Sequence, residues 1–342
     1  IGKGVFTKRV VIRGRRIGMI GLATNGEKTM KQHASTASHQ PDVTSMLLLL
    51  GVGVLIALML PLSRAAMDIG MTPLAYAFWQ ALGGGILLVL CGRRGSPVRF
   101  SRPLFQYFGI SGLTAIAVPN ALAFIVVANI GSGLTATLYA LPSLATYGIS
   151  VILGMETLSR KKSIGLSLGV AGCVWILSPN PAGINPDSLP WLLLGMLVPL
   201  SLAIGNVYRT SHWPKGATPE QLAPGMLLAG AVLILLVVVV TGGAHSLLVS
   251  GMDLWTIVAV QSVLTAISYR GFFHLQKRTS PTFLSQLGFV ITPAGLLFGI
   301  VFFGESYGWA VWGGVVLLLI GVVLANGATR ERKTCNAVRN PG

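Results

Sequence analysis

LTATLYALPSLATYGISVILGMETLSRKKSIGLSLGVAGCVWIL, residues 134–177, has a counterpart near the C-terminus: TFLSQLGFVITPAGLLFGIVFFGESYGWAVWGGVVLLLIGVVLAN, residues 282–326. Each is an apolar run with a proline near its middle and a glutamate at its end, then a short break and a second apolar run with glycines in matching places. A shift of 149 residues superposes Glu156 on Glu305, Gly165 on Gly314, Leu168 on Leu317, Gly172 on Gly321 and Val174 on Val323. Pro142 and Pro293 need a two-residue slip. Upstream, Thr72-Pro73 opens TPLAYAFWQALGGGILLVL and Thr218-Pro219 opens TPEQLAPGMLLAGAVLILLVVVV, at an offset of 146. An apolar segment ending in arginine, Arg64 or Arg209, precedes each pair. The chain therefore reads as two copies of one unit.

Composition sets the solvent in which those copies fold. Of the 342 residues, 53% are hydrophobic and 10% charged, where a soluble chain carries about 25% charged residues. From Met46 onward the apolar segments run over 46–63, 73–91, 104–128, 134–155, 163–178, 189–208, 221–241, 254–275, 281–303 and 308–327. About 20 residues of helix cross a hydrocarbon core. Backbone groups in lipid must satisfy one another, so these runs are helices rather than strands. The expected fold is an all-α membrane protein with ten transmembrane helices. The fifth segment is the shortest.

The net charge of +16 is a topology signal. Eight Lys and Arg residues lie in residues 1–45, which are expected to form a basic, disordered cytoplasmic tail. Others fall in alternate connections: Arg93, Arg94, Arg99 and Arg102; Arg160, Lys161 and Lys162; Arg209 and Lys215; Lys277 and Arg278. The tail 328–342 holds the rest, apart from Arg64 and Arg270. Basic residues mark cytoplasmic loops, so both termini are expected in the cytoplasm of a multi-pass inner-membrane protein. Nucleic acid is excluded as a partner, which leaves the bilayer and a small-molecule substrate, with homodimerisation open. Five helices per copy is an odd number, so the copies 46–178 and 189–327 enter the membrane inverted, an arrangement that recurs in secondary transporters. Cys91, Cys173 and Cys335 show no metal or disulfide spacing, and no cofactor is expected.

The segments ALPSLATYGISVILGMETLSRKKSIGLSLGVAGCVWIL at 140–177 and VITPAGLLFGIVFFGESYGWAVWGGVVLLLIGVVLAN at 290–326 resemble the EamA family of the drug/metabolite transporter superfamily. The likeness lies in a proline, a glutamate about a dozen residues later, and a glycine-bearing helix after it. The first copy departs slightly, with Gly-Met-Glu at 154–156 where the second has Gly-Glu at 304–305. The resemblance implies a carrier that exports amino acids, other metabolites or drugs from a central cavity lined in part by the third and eighth helices.

Arg270, inside the eighth segment, is the leading candidate to receive an anionic group of the substrate, because an intramembrane cation usually faces a cavity or a partner. The competing role is snorkelling to the headgroups. Asn120 and Gln261 lead a set of intramembrane amides that includes Gln80, Asn129, Asn206 and Gln286, whose ordinary use is to tie helix to helix. Trp79, Tyr139 and Tyr269 are candidates for an aromatic wall. Glu156 and Glu305 sit at helix ends, where capping of the next helix is favoured over proton coupling. Pro142 and Pro293 bend their helices. The glycines at 83–85 and the GxxxxxxG spacing in the fifth and tenth segments serve close helix approach. The leading reading is an exporter of a small organic metabolite such as an amino acid. The alternatives are an exchanger for phosphorylated or nucleotide-linked metabolites and a non-transporting scaffold. The His, Asp and Glu spacings of an enzyme are missing.

Overall fold

The computed structural model describes residues 42–92, 101–177, 189–248 and 251–339. Arg93, Arg94, Arg99 and the proline-rich stretch 178–188 lie outside them, as does the expected basic tail except for residues 42–45. The regular structure described is helical: α1 (Val43–Asp68), α2 (Pro73–Cys91), α3 (Arg102–Ile130), α4 (Ser132–Ile152), α5 (Arg160–Ile176), α6 (Leu189–Ser211), α7 (Pro219–Val240), α8 (Met252–Arg278), α9 (Pro281–Phe303) and α10 (Trp309–Arg339). Eight of these, all but α5 and α10, are long and apolar enough to cross a membrane. α5 has 17 residues and the apolar part of α10, Trp309–Ala325, is equally short. Large apolar side chains such as Ile152 and Val240, each 84% exposed, cover the outer surface, as suits a protein solvated by hydrocarbon.

The helices begin where their capping chemistry dictates. Thr72 accepts from the Ala75 amide at 3.3 Å, with Pro73 in the first turn. Thr218 and Gln221 form a capping box ahead of α7, with Pro219 at its start. A proline whose missing N–H falls among the unbonded donors of a first turn costs nothing there. Several helices outrun the expected segments. α1 begins at Val43, capped by Asp42 at 2.8 Å, and α10 continues past 327 to Arg339. Arg209 lies in the last turn of α6 and not in a connection. Lys277 and Arg278 lie in the last turn of α8.

Glycines set the closest helix contacts. A Cβ at Gly172 of α5 would stand 2.6 Å from the Gly314 carbonyl of α10, and one at Gly165 would stand 2.4 Å from the Ala325 nitrogen. Both distances are shorter than any real contact, so α5 and α10 pack backbone against backbone along their GxxxxxxG rows, as small residues allow in membranes. On α2, Gly83 and Gly84 meet Ser262 and Thr265 of α8, and Gly85 meets Leu228 of α7. A Gly172→Val variant is expected to lose about 3 kcal/mol through overpacking, whereas Gly313→Ala, with nothing within 4 Å of its Cβ, should unfold at the wild-type temperature. Thermal unfolding in detergent followed by gel filtration distinguishes them.

Candidate functional site

Three interrupted helices meet around one cavity. In α3 the proline Pro119 offers no N–H and its ring crowds the preceding turn. The helix responds with a π-helical stretch, Leu113–Ala117, in which the Val118 amide reaches back to the Leu113 carbonyl. The Thr114 carbonyl accepts instead from the Ser201 hydroxyl of α6 at 2.9 Å. In α4 the helix tightens to a 3₁₀ turn over Leu138–Ala140 before resuming at Pro142. In α9 a short first segment, Pro281–Ser285, gives way at Gln286 to Leu287–Phe303, which contains Pro293.

The breaks of α4 and α9 lie against each other. A Cβ on Gly288 would stand 1.6 Å from the Tyr139 carbonyl oxygen, so only glycine permits the crossing. Beside it, the Thr292 hydroxyl donates to the Ala136 carbonyl at 3.2 Å.

The two signature glutamates fasten this crossing from opposite ends. Glu305, just beyond α9, accepts from the Ser132 and Gly133 amides at 3.3 Å each, which are the first two amides of α4. It also pairs with Arg64 of α1 and accepts from the Tyr307 hydroxyl. Burial, and then the Glu305 carboxylate itself, push the Tyr307 hydroxyl up from its ordinary pKa, which keeps it a donor. Glu156, just beyond α4, accepts from the Thr282 amide in the first turn of α9 at 3.3 Å and pairs with Lys162. Both carboxylates do cap helices, favoured by the N-terminal dipole. The helix capped is the counterpart in the other copy and not the next one along the chain. This corrects the expectation from spacing.

The cavity is about 720 Å³, its open end included. α1, α2, α3, α4, α6, α8 and α9 contribute to its wall, α2 through Gln80, and the third and eighth helices are among them as expected. The amides follow the helix-tying role and also face the cavity. Asn120 of α3 donates to the Gln80 Oε1 of α2 at 3.1 Å, and Gln80 reaches the Met59 sulfur of α1 at 3.4 Å. Tyr139, Tyr269, Phe124 and Phe272 form aromatic walls.

The cation bordering this cavity is Arg209. It is 0% exposed. Its Nε donates to Gln276 Oε1 of α8 at 3.2 Å and its Nη2 to Asn206 Oδ1, three residues earlier on α6, at 2.6 Å. The guanidinium carbon lies 5.2 Å from the Phe272 ring centroid, a cation–π geometry. Nη1 has no hydrogen-bond partner. Of the residues expected at the site, Asn120, Tyr139 and Tyr269 come together at the cavity, with Pro142 beside them. Arg270 does not: it is exposed on α8, as snorkelling requires. Gln261 is buried but bonds within α8 to Thr265 at 3.4 Å, away from the cavity wall. Trp79 donates to the Leu247 carbonyl at 3.1 Å and packs edge-on against Trp255, also outside the wall.

Arg209 escapes a reading by sequence because it ends an apolar segment and falls among the loop cations. The available signal was its spacing. Residues three apart share a helix face, so an arginine three positions after Asn206 belongs with that buried amide if the helix runs on to Ser211.

Residues 43–178 match the model of the EamA-like transporter family. Over those residues the chain is similar to an EamA-like transporter. It is 27% identical over 255 residues to Protein PecM of Dickeya dadantii (strain 3937), an alignment that covers 74% of this chain and 82% of that one. A solved crystal structure 18% identical to this chain superposes with a TM-score of 0.66, covering 85% of this chain and the whole of its own. That likeness supports the fold alone. The match over 43–178 and the apolar helices support a multi-pass membrane protein.

Proposed function

We propose that the protein is a secondary carrier that moves a small organic metabolite outward across the inner membrane, with both termini cytoplasmic. It works by alternating access between two inverted five-helix repeats, 46–178 and 189–327. The observation that carries this reading is the reciprocal fastening of α4 and α9. The glutamate ending each helix caps the start of the other, as a two-fold axis exchanging the copies would require. The cavity lies where their breaks cross, the place where inverted-repeat carriers bind substrate. α5 and α10, short and locked together by glycine, complete five helices per copy.

Exchange of phosphorylated or nucleotide-linked substrates is less well supported. Multiple phosphate charges call for several buried cations, and Arg209 is the one cation on the cavity wall among the described residues.

The test is two-sided accessibility. Ala115, on the cavity wall, is replaced by cysteine after Cys91, Cys173 and Cys335 have been changed to serine. A membrane-impermeant maleimide is then offered from either face of sealed, oriented vesicles. Labelling from both faces is expected. Labelling that stays confined to one face over long exposure argues against alternating access.

A further inference from the structure

The electrostatics of the cavity narrow the substrate class, an inference that rests on the carrier reading above. Arginine stays protonated in proteins at all working pH values, so the Arg209 guanidinium brings a fixed positive charge to the wall. No carboxylate among the described residues compensates it. Among the described residues its partners are the amide oxygens of Gln276 and Asn206, and the ionisable groups that act on it are the hydroxyls of Tyr107 and Tyr269. Among the described residues, no Asp or Glu lines the cavity.

A buried charge without a counter-ion is costly, and that cost falls when an opposite charge arrives. The site is also pre-organised for one. Two hydrogen bonds and the Phe272 ring fix the guanidinium plane, while Nη1 keeps unused donors. A planar fork with free N–H groups matches a carboxylate. For an ammonium group the cavity offers no anion, and the Gln80 oxygen already accepts from Asn120. Apart from Gln80, Asn120, Asn206 and Ser285, the rest of the wall is aromatic and aliphatic.

We infer that this cavity selects an organic monocarboxylate with an apolar body, with the carboxylate at Arg209, over the zwitterion or the amine of the same shape. This departs from the expectation of an amino acid and stays within small organic metabolites.

The experiment uses three compounds that share one apolar body: 3-phenylpropionate, phenylalanine and 2-phenylethylamine. Binding to the full chain in nanodiscs is measured by calorimetry, and counterflow of the labelled forms is measured in proteoliposomes. 3-Phenylpropionate is expected to bind about 30-fold more tightly than either companion, because the amine lacks the charge pair with Arg209 and phenylalanine must bury an unpaired ammonium. Arg209→Gln should erase that preference, Arg209→Lys should retain part of it, and Arg270→Gln should leave it unchanged. If Arg209→Gln fails to fold, the wild-type comparison and Arg209→Lys decide. Equal binding of the three, tighter binding of phenylalanine or the amine, no saturable binding of any, or an anion preference that survives in Arg209→Gln would each overturn the inference. Selective anion binding without counterflow keeps the inference and removes the carrier, whereas counterflow without anion preference does the reverse.

Discussion

Gly288→Ala should leave little properly folded protein. The added methyl would stand 1.6 Å from the Tyr139 carbonyl oxygen and 2.5 Å from the Ala140 nitrogen, and both are backbone atoms that cannot rotate away. α4 and α9 would have to separate at their crossing, and the cavity wall on both sides would move with them. Overpacking in a well-packed interior costs about 1–3 kcal/mol when side chains can adjust. With backbone on the receiving end, the upper limit or more is expected, about 3 kcal/mol or above. Gel filtration and thermal unfolding in detergent read the result. Gly148→Ala, in the facing helix α4 and with nothing within 4 Å of its Cβ, is the control that should behave as wild type. A Gly288→Ala protein as stable as that control would mean that the crossing is looser than described.

Glu305→Ala should be the more damaging of the two signature-glutamate substitutions. It strips two amides at the start of α4 of their acceptor, frees the Tyr307 hydroxyl, and leaves Arg64 without its carboxylate. Loss of a cap costs about 1 kcal/mol. Breaking a buried pair costs about 3–5 kcal/mol, reduced here because the Arg64 side chain is 33% exposed. A total of about 2–3 kcal/mol follows. Glu156 serves a single α9 amide and Lys162, and Ser280 already caps that helix through the Phe283 amide. Glu156→Ala breaks a pair whose lysine is only 16% exposed, but it strips one amide rather than two and no hydroxyl, so it should cost less, about 2 kcal/mol. Glu305→Gln, which can still accept from the amides, should fall between. The three variants are ranked by chemical unfolding with the wild type alongside, and the reverse order for Glu156→Ala and Glu305→Ala would contradict the capping assignment.

How much of this could be read from the residues follows from the range of the forces involved. Helix starts were legible at Thr72-Pro73 and Thr218-Pro219, because capping acts within one turn. The glycine rows of α5 and α10 were legible too, since a regular spacing puts small residues on one face whatever the partner. The glutamates were recognised as caps but assigned to the wrong helix. Capping requires only an amide end within reach, and spacing cannot say which helix end folding brings there. The cation was misplaced for a related reason. Arg270 sits inside its apolar segment by sequence, yet its position on α8 faces outward, whereas Arg209 sits at a segment end and turns in. Hydropathy locates a residue along the membrane normal, and only packing sets its direction around the helix.

Counterflow in proteoliposomes tests the central claim, that the cavity at the α4–α9 crossing belongs to a carrier. Vesicles are loaded with unlabelled compounds from a panel of organic anions, zwitterions and cations, and each labelled form is added outside. Transient accumulation of at least one label above equilibrium is expected, and it should disappear in protein-free vesicles. Failure of every compound to accumulate, with protein shown to be folded and reconstituted, would contradict the account.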